Sequence, residues 1–77
     1  MTDRVSIEYG NKQFKFRKHN LRPSVIKRAF GLDFEFEIML HNPEQNFVEF
    51  PDENGYYLPL ELDYYQVIVL QTGTYIF

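Results

Sequence analysis

Cysteine and tryptophan are absent from this 77-residue sequence, and glycine and proline occur only four times each. Without thiols the chain has no disulfide framework, no thiolate zinc site and no cysteine nucleophile, so thioester relay chemistry is excluded. The redox compartment stays open, with a reducing one favoured. No glycine-rich stretch has the spacing of a phosphate-cradling loop, which removes support for nucleotide chemistry. No apolar run approaches the ~20 residues that a membrane span requires. Met1-Thr2-Asp3-Arg4 leads into alternating residues, not into the apolar block of a signal peptide. A soluble, cytoplasmic protein is expected. The most informative absence is of positive charge, because no lysine or arginine follows position 28.

What is present starts with rings: eight Phe and six Tyr, within a hydrophobic fraction of 44%, are enough to fill a small core. A chain this short makes one domain, so residues 1–77 are expected to fold as a single unit, the N-terminal head of a longer protein. All the cations, Arg4, Lys12, Lys15, Arg17, Lys18, Arg22, Lys27 and Arg28, share the first 28 residues with only Asp3 and Glu8, a local charge of +6. Residues 29–77 hold Asp33, Glu35, Glu37, Glu44, Glu49, Asp52, Glu53, Glu61 and Asp63, or −9, which gives the net −3. Two readings follow. The halves neutralise one another across a mixed solvated surface, or the molecule has two faces and docks basic side to acidic side, onto copies of itself or onto another protein.

Residues 4–9 alternate, Val5, Ile7 and Tyr9 against Arg4, Ser6 and Glu8, as in a half-buried strand. Gly10-Asn11 provides a tight turn. Residues 12–17 alternate again, with Phe14 and Phe16 inward and Lys12, Lys15 and Arg17 outward. Asn20 near a cap, Pro23 in the first turn and Gly31 just beyond the end predict a helix over 23–30. Its apolar face is expected to comprise Val25, Ile26, Ala29 and Phe30, flanked by Lys27 and Arg28. A strand over 34–40 turns Phe34, Phe36, Ile38 and Leu40 inward, 41–46 is turn chemistry, and Phe47–Phe50 returns. After the turn residues Pro51–Gly55 comes an irregular stretch, Tyr56–Leu60, in which Pro59 argues against a central strand. Residues 65–70 are nearly all apolar, as suits a central strand. The expected core is Val5, Ile7, Phe14, Phe16, Val25, Ile26, Ala29, Phe30, Ile38, Leu40, Val67 and Val69.

Hairpin, helix, hairpin, irregular segment and final strand assemble most economically as an α+β domain: a mixed four- to five-stranded sheet with one helix packed on one face. In element order, element length and size the chain resembles the ubiquitin-like β-grasp superfamily. Its acidic turn Asp52-Glu53-Asn54-Gly55 and basic first half are similar to CIDE-N and Phox/Bem-type interaction domains, which implies head-to-tail assembly. The opening hairpin, Arg4-Val5 through Asn11-Lys12-Gln13, looks like that of Raf-type Ras-binding domains. That likeness implies a GTPase partner met by Lys15, Arg17, Lys27 and Arg28. The stretch from Ile38 to Phe50 and on to Tyr64-Tyr65-Gln66-Val67 is similar to ubiquitin-like N-terminal domains of cytoskeletal scaffolds, including trypanosome flagellar pocket collar proteins. This implies a binding head on a coiled-coil body and a cytoskeleton-associated location. A conjugatable modifier needs a Gly-Gly tail, and this chain ends Thr72-Gly73-Thr74-Tyr75-Ile76-Phe77.

Catalysis finds little support. His19 and His41 fall in predicted connections, no Ser-His-Asp set can be assigned roles, and Glu35 with Glu37 stand hydrated on an outward strand face. Asp52-Glu53-Asn54-Gly55 brushes against a calcium loop, but Tyr56 and Leu58 occupy the next ligand positions, so it reads as a turn. Neither a metal nor a cofactor is expected, and no small-molecule substrate. A basic stripe of Lys12, Lys15, Arg17, Lys18 and Arg22 could meet a nucleic acid or another anionic polymer, against which the −9 remainder argues. The reading is therefore a non-catalytic protein-interaction module of a scaffold or adaptor. Its expected contacts are Lys12, Lys15, Arg17, Lys18, Arg22, Lys27 and Arg28 on the basic side and Glu49, Asp52 and Glu53 on the acidic side. Ile68 and Leu70 share a face with Gln66, away from the helix. They form a further contact patch unless Tyr56–Leu60 or a terminal residue such as Tyr75 covers them.

Overall fold

The computed structural model describes residues 3–57 and 59–70. The terminal segment Thr72–Phe77, with Tyr75, and Leu58 lie outside the described residues. Two strands, β1 (Arg4–Tyr9) and β2 (Lys12–Arg17), precede the helix α1 (Pro23–Phe30), and β3 (Glu37–Asn42), β4 (Phe47–Glu49) and β5 (Tyr64–Leu70) follow it. They form one five-stranded mixed sheet in the order β2-β1-β5-β3-β4. β1 runs parallel to β5 and all other neighbours are antiparallel. The final strand thus enters beside the first, and the two hairpins occupy opposite edges. The chain is a small α+β domain.

Local chemistry accounts for the elements. Gly10, at φ +63°, lets a two-residue loop join β1 to β2 with Tyr9 opposite Lys12. α1 starts on Arg22, whose extended backbone precedes Pro23 and whose side chain gives no cap; Asn20, expected near the cap, instead takes a left-handed turn two residues earlier. The helix ends on Gly31 at φ +71°, where the Leu32 N–H donates to the Lys27 carbonyl and turns Leu32 back against the core.

The core lies between α1 and one sheet face. Val5, Ile7, Leu21, Ile26, Phe30, Ile38, Leu40, Tyr57, Leu60, Tyr65 and Val67 are buried, with Phe16, Leu32, Leu62 and Val69 packed against them. Three expectations are corrected. Val25 and Ala29 are exposed, because Ile26 and Phe30 alone point straight at the sheet and the other two stand on the flank of the helix toward β2. Phe14 is 41% exposed, because β2 is the edge strand and an eight-residue helix does not reach over it. Phe34 and Phe36 are exposed in a turn, closed by the Phe36 N–H on the Asp33 carbonyl, and β3 begins only at Glu37, where β5 offers a partner in Leu70. Glu35 therefore lies in that turn and not on a strand.

At its other end β3 runs on through His41 and Asn42, two residues read as turn. Asn42 is buried. Its Nδ2 donates to the Tyr64 carbonyl at 2.8 Å and its Oδ1 accepts from the Gln45 N–H at 2.8 Å, so one side chain ties β3 both to β5 and to the hairpin turn. The irregular segment also belongs to the core: Tyr57 donates its backbone N–H to the Leu21 carbonyl and buries its ring, and Leu60 is buried beside it. This segment therefore packs on the helix side and leaves Ile68 and Leu70 uncovered by it.

Candidate interaction surfaces

Cross-strand partners share a face, so the register assigns every outward side chain. Opposite the helix stand Gln13, Lys15 and Arg17 of β2, Arg4, Ser6 and Glu8 of β1, Tyr64, Gln66, Ile68 and Leu70 of β5, Glu37, Met39 and His41 of β3, and Val48 of β4. His41, read as a loop residue, is thus a half-buried strand residue on this face. Ile68 and Leu70 are half-buried there, Ile68 directly opposite Met39. The Tyr64 hydroxyl donates to Glu8 and accepts from Gln66 Nε2 at 3.1 Å. The Glu8 carboxylate raises the Tyr64 hydroxyl above its ordinary pKa, with burial adding to the shift. A polar tie thus separates the basic β2–β1 strip from the apolar β5–β3 strip.

The predicted cations fall into two groups. Lys18 holds Asp63 at 2.7 Å, and this hydrogen bond keeps the Asp63 carboxyl below the usual range. Arg22 lies with its guanidinium 4.6 Å from the Tyr56 ring centre and donates to the Tyr56 hydroxyl. Lys27 donates to the Phe34 carbonyl at 3.1 Å. These three brace connections of their own chain. By contrast, the side chains of Lys12, Lys15, Arg17 and Arg28 have no hydrogen-bond or ion-pair partner among the described residues, and all four are exposed. The basic surface that stays available is the β2 edge and the outer flank of α1.

The acidic residues separate in the same way. Glu49, opposite Leu40, stands on the helix side and is half-buried; burial first and Glu61 second push its carboxyl above the ordinary range. Asp52 accepts from the backbone N–H groups of Asn54 and Tyr56 at 2.9 and 3.0 Å, the closure of a turn, and Glu53 is exposed at its tip. Sequence reasoning passed over a more prominent feature. The turn after α1 presents Phe34 at 60% exposure and Phe36 at 42% between Asp33, Glu35 and Glu37. Reading these rings as strand residues hid them; the Asp33 turn signal was the clue.

Among the described residues, open grooves flank α1 on both sides. One, of about 350 Å³, runs between the helix and β2 and is lined by Phe16, Arg17, His19, Leu21 and Val25, with Asp3 at one end. The other, of about 360 Å³, lies toward β3 and is lined by Pro23, Lys27, Ile38, Phe50, Pro51 and Leu70, with Glu37 beside them. Among the described residues no three His, Asp or Glu side chains gather as a metal-binding group, and no helix is long and apolar enough to cross a membrane. No known family, curated protein or solved structure matches the chain.

Proposed function

We infer that this chain is a non-catalytic protein-interaction module of the ubiquitin-like β-grasp type, the head of a larger scaffold or adaptor. The hairpin-helix-hairpin order and the parallel β1–β5 pair at the sheet centre support the β-grasp reading. The observation that carries the function is the state of the cations. Lys12, Lys15 and Arg17 on the edge strand β2 and Arg28 on the helix are exposed and have no partner among the described residues, while the exposed rings of Phe34 and Phe36 stand elsewhere. Charges that neutralised one another inside the fold would be found in pairs, as Lys18 with Asp63 is, and Lys12, Lys15, Arg17 and Arg28 are not. An exposed, single-sign edge steers an acidic protein surface into register, and it does so reversibly because solvated pairs are weak.

Affinity capture by the wild-type domain, compared with the double variant Lys15→Glu/Arg17→Glu, tests this. Both side chains are exposed on β2, so the variant keeps its fold by circular dichroism. It should lose the acidic proteins that the wild type retains at low salt and releases at high salt. Equal capture by both domains overturns the reading. A captured GTPase retained only in its GTP-bound state would identify the Ras-binding type of module.

A further inference from the structure

The groove between α1 and β2 has the form of an unfinished core. Its apolar lining is Phe16, Leu21 and Val25, and beyond it along the same flank Phe14 and Phe16 approach Phe30 with ring centres 5.1 and 6.3 Å away while Phe14, Val25 and Ala29 stay exposed. Asp3 lies at one end of the groove and Arg17 at its β2 wall, and Arg28 stands exposed on the helix one turn beyond Val25. An occupant that lays an apolar ring against Phe16, Leu21 and Val25 and brings carboxylates toward Arg17 and Arg28 fits this flank. The same chain displays that combination in Asp33-Phe34-Glu35-Phe36-Glu37, whose first ring is the most exposed large apolar side chain among the described residues.

This turn is not placed to fill its own groove. Lys27, which lies on the β3 flank of α1 and lines the opposite groove, holds the Phe34 carbonyl, so the turn stands on the other side of the helix from Val25. We propose that the 33–37 turn of one copy docks in the α1–β2 groove of a second copy. The assignment rests on the interaction-module reading and names its partner. Turn and groove are different surfaces, so the contact is heterologous, and each bound copy leaves one turn and one groove free to extend the chain. Asp33 and Glu37 approach Arg17 and Arg28 as the Phe34 ring enters, so ring burial and charge pairing both contribute to the affinity and the charges make it sensitive to salt. A single small contact of this kind makes a weak, concentration-dependent association.

Sedimentation equilibrium tests it with two variants altered only at exposed side chains. Arg17→Glu/Val25→Asp spoils the groove and keeps the turn; Phe34→Ser/Phe36→Ser spoils the turn, keeps the groove, and leaves the Phe34 carbonyl for Lys27. Thermal melts that match the wild type establish that both fold. The wild type should gain mass with concentration at low salt and lose it at high salt. Either variant alone should associate about tenfold or more weakly. An equimolar mixture should form pairs of one with the other and grow no further, because each such pair has no functional turn or groove left. A monomeric wild type, association that survives in either variant, or a mixture that stays monomeric or grows into chains overturns the proposal. If the wild type is monomeric while capture still depends on Lys15 and Arg17, the second-copy assignment falls and the interaction module stands.

Discussion

β1 and β2 are neighbouring strands with the same apolar alternation and opposite fates. Val5 and Ile7 of β1 are fully buried, whereas their cross-strand partners Phe16 and Phe14 are half-buried and 41% exposed. The difference is position. β1 lies beneath α1 with a strand on each side, and β2 lies at the edge beyond the reach of a two-turn helix. Alternation therefore identifies the face that a strand turns to the helix, and the sheet order decides how much of that face is sealed. The same edge strand carries the unpaired cations Lys12, Lys15 and Arg17, so a strand that contributes little to the core is the one left for binding.

The sharpest way to break this comparison is to truncate directly opposed residues. Ile7→Ala should cost about 2–4 kcal/mol in denaturant melts, much of the stability of so small a domain. Phe14→Ala, though it removes more atoms, should cost only about 1–2 kcal/mol, because its ring is partly solvated and its main contact is Phe30. Equal losses would show that β2 is sealed after all. Asn42→Ala removes both hydrogen bonds that join β3 to Tyr64 and Gln45, and at a buried site should cost about 1–3 kcal/mol. Tyr57→Phe should be neutral or stabilising by up to about 1 kcal/mol, since the buried hydroxyl meets no hydrogen-bond partner among the described residues.

The smallest expected effect is electrostatic and carries two signs. Burial and Glu61 raise Glu49, so the folded state binds its proton more tightly than the unfolded state does. Its contribution is present at low pH and is lost as pH rises through the range just above ordinary carboxylate values. Asp63, lowered by Lys18, stabilises above the unfolded carboxylate pKa and loses that contribution as pH falls through its folded value. Stability measured against pH should therefore lose its falling limb in Glu49→Gln and its acid-side rise in Asp63→Asn. Superimposable profiles for the wild type and both variants would contradict the assignment of either shift.

The elements that depend on local signals were legible in the sequence. Gly10-Asn11, Pro23 and Gly31 mark the first hairpin and both ends of the helix at their observed positions, and the crowded apolar run in 65–70 marks a central strand. Coverage was not legible, because Val25 and Ala29 carry the same apolar signal as Ile26 and Phe30 while sitting on the unsealed flank of α1. The 33–37 turn was misread for a related reason: alternating Phe and Glu mimic a strand, but strand formation needs a neighbour, and β5 supplies one only from Glu37 onward. Lys18, Arg22 and Lys27 looked like free cations because their partners Asp63, Tyr56 and the Phe34 carbonyl are brought to them only by the fold.

The central claim is that the open flank around β2 is the surface through which this domain meets protein, and backbone amide spectra recorded from dilute to concentrated solution at low salt test it most directly. The account predicts concentration-dependent shifts in two clusters, β2 with the outer flank of α1 and the turn at residues 33–37, which vanish when salt is added. Spectra that do not change with concentration, or shifts confined to Met39, Val48 and Ile68 in the apolar strip of β5, β3 and β4, would contradict it.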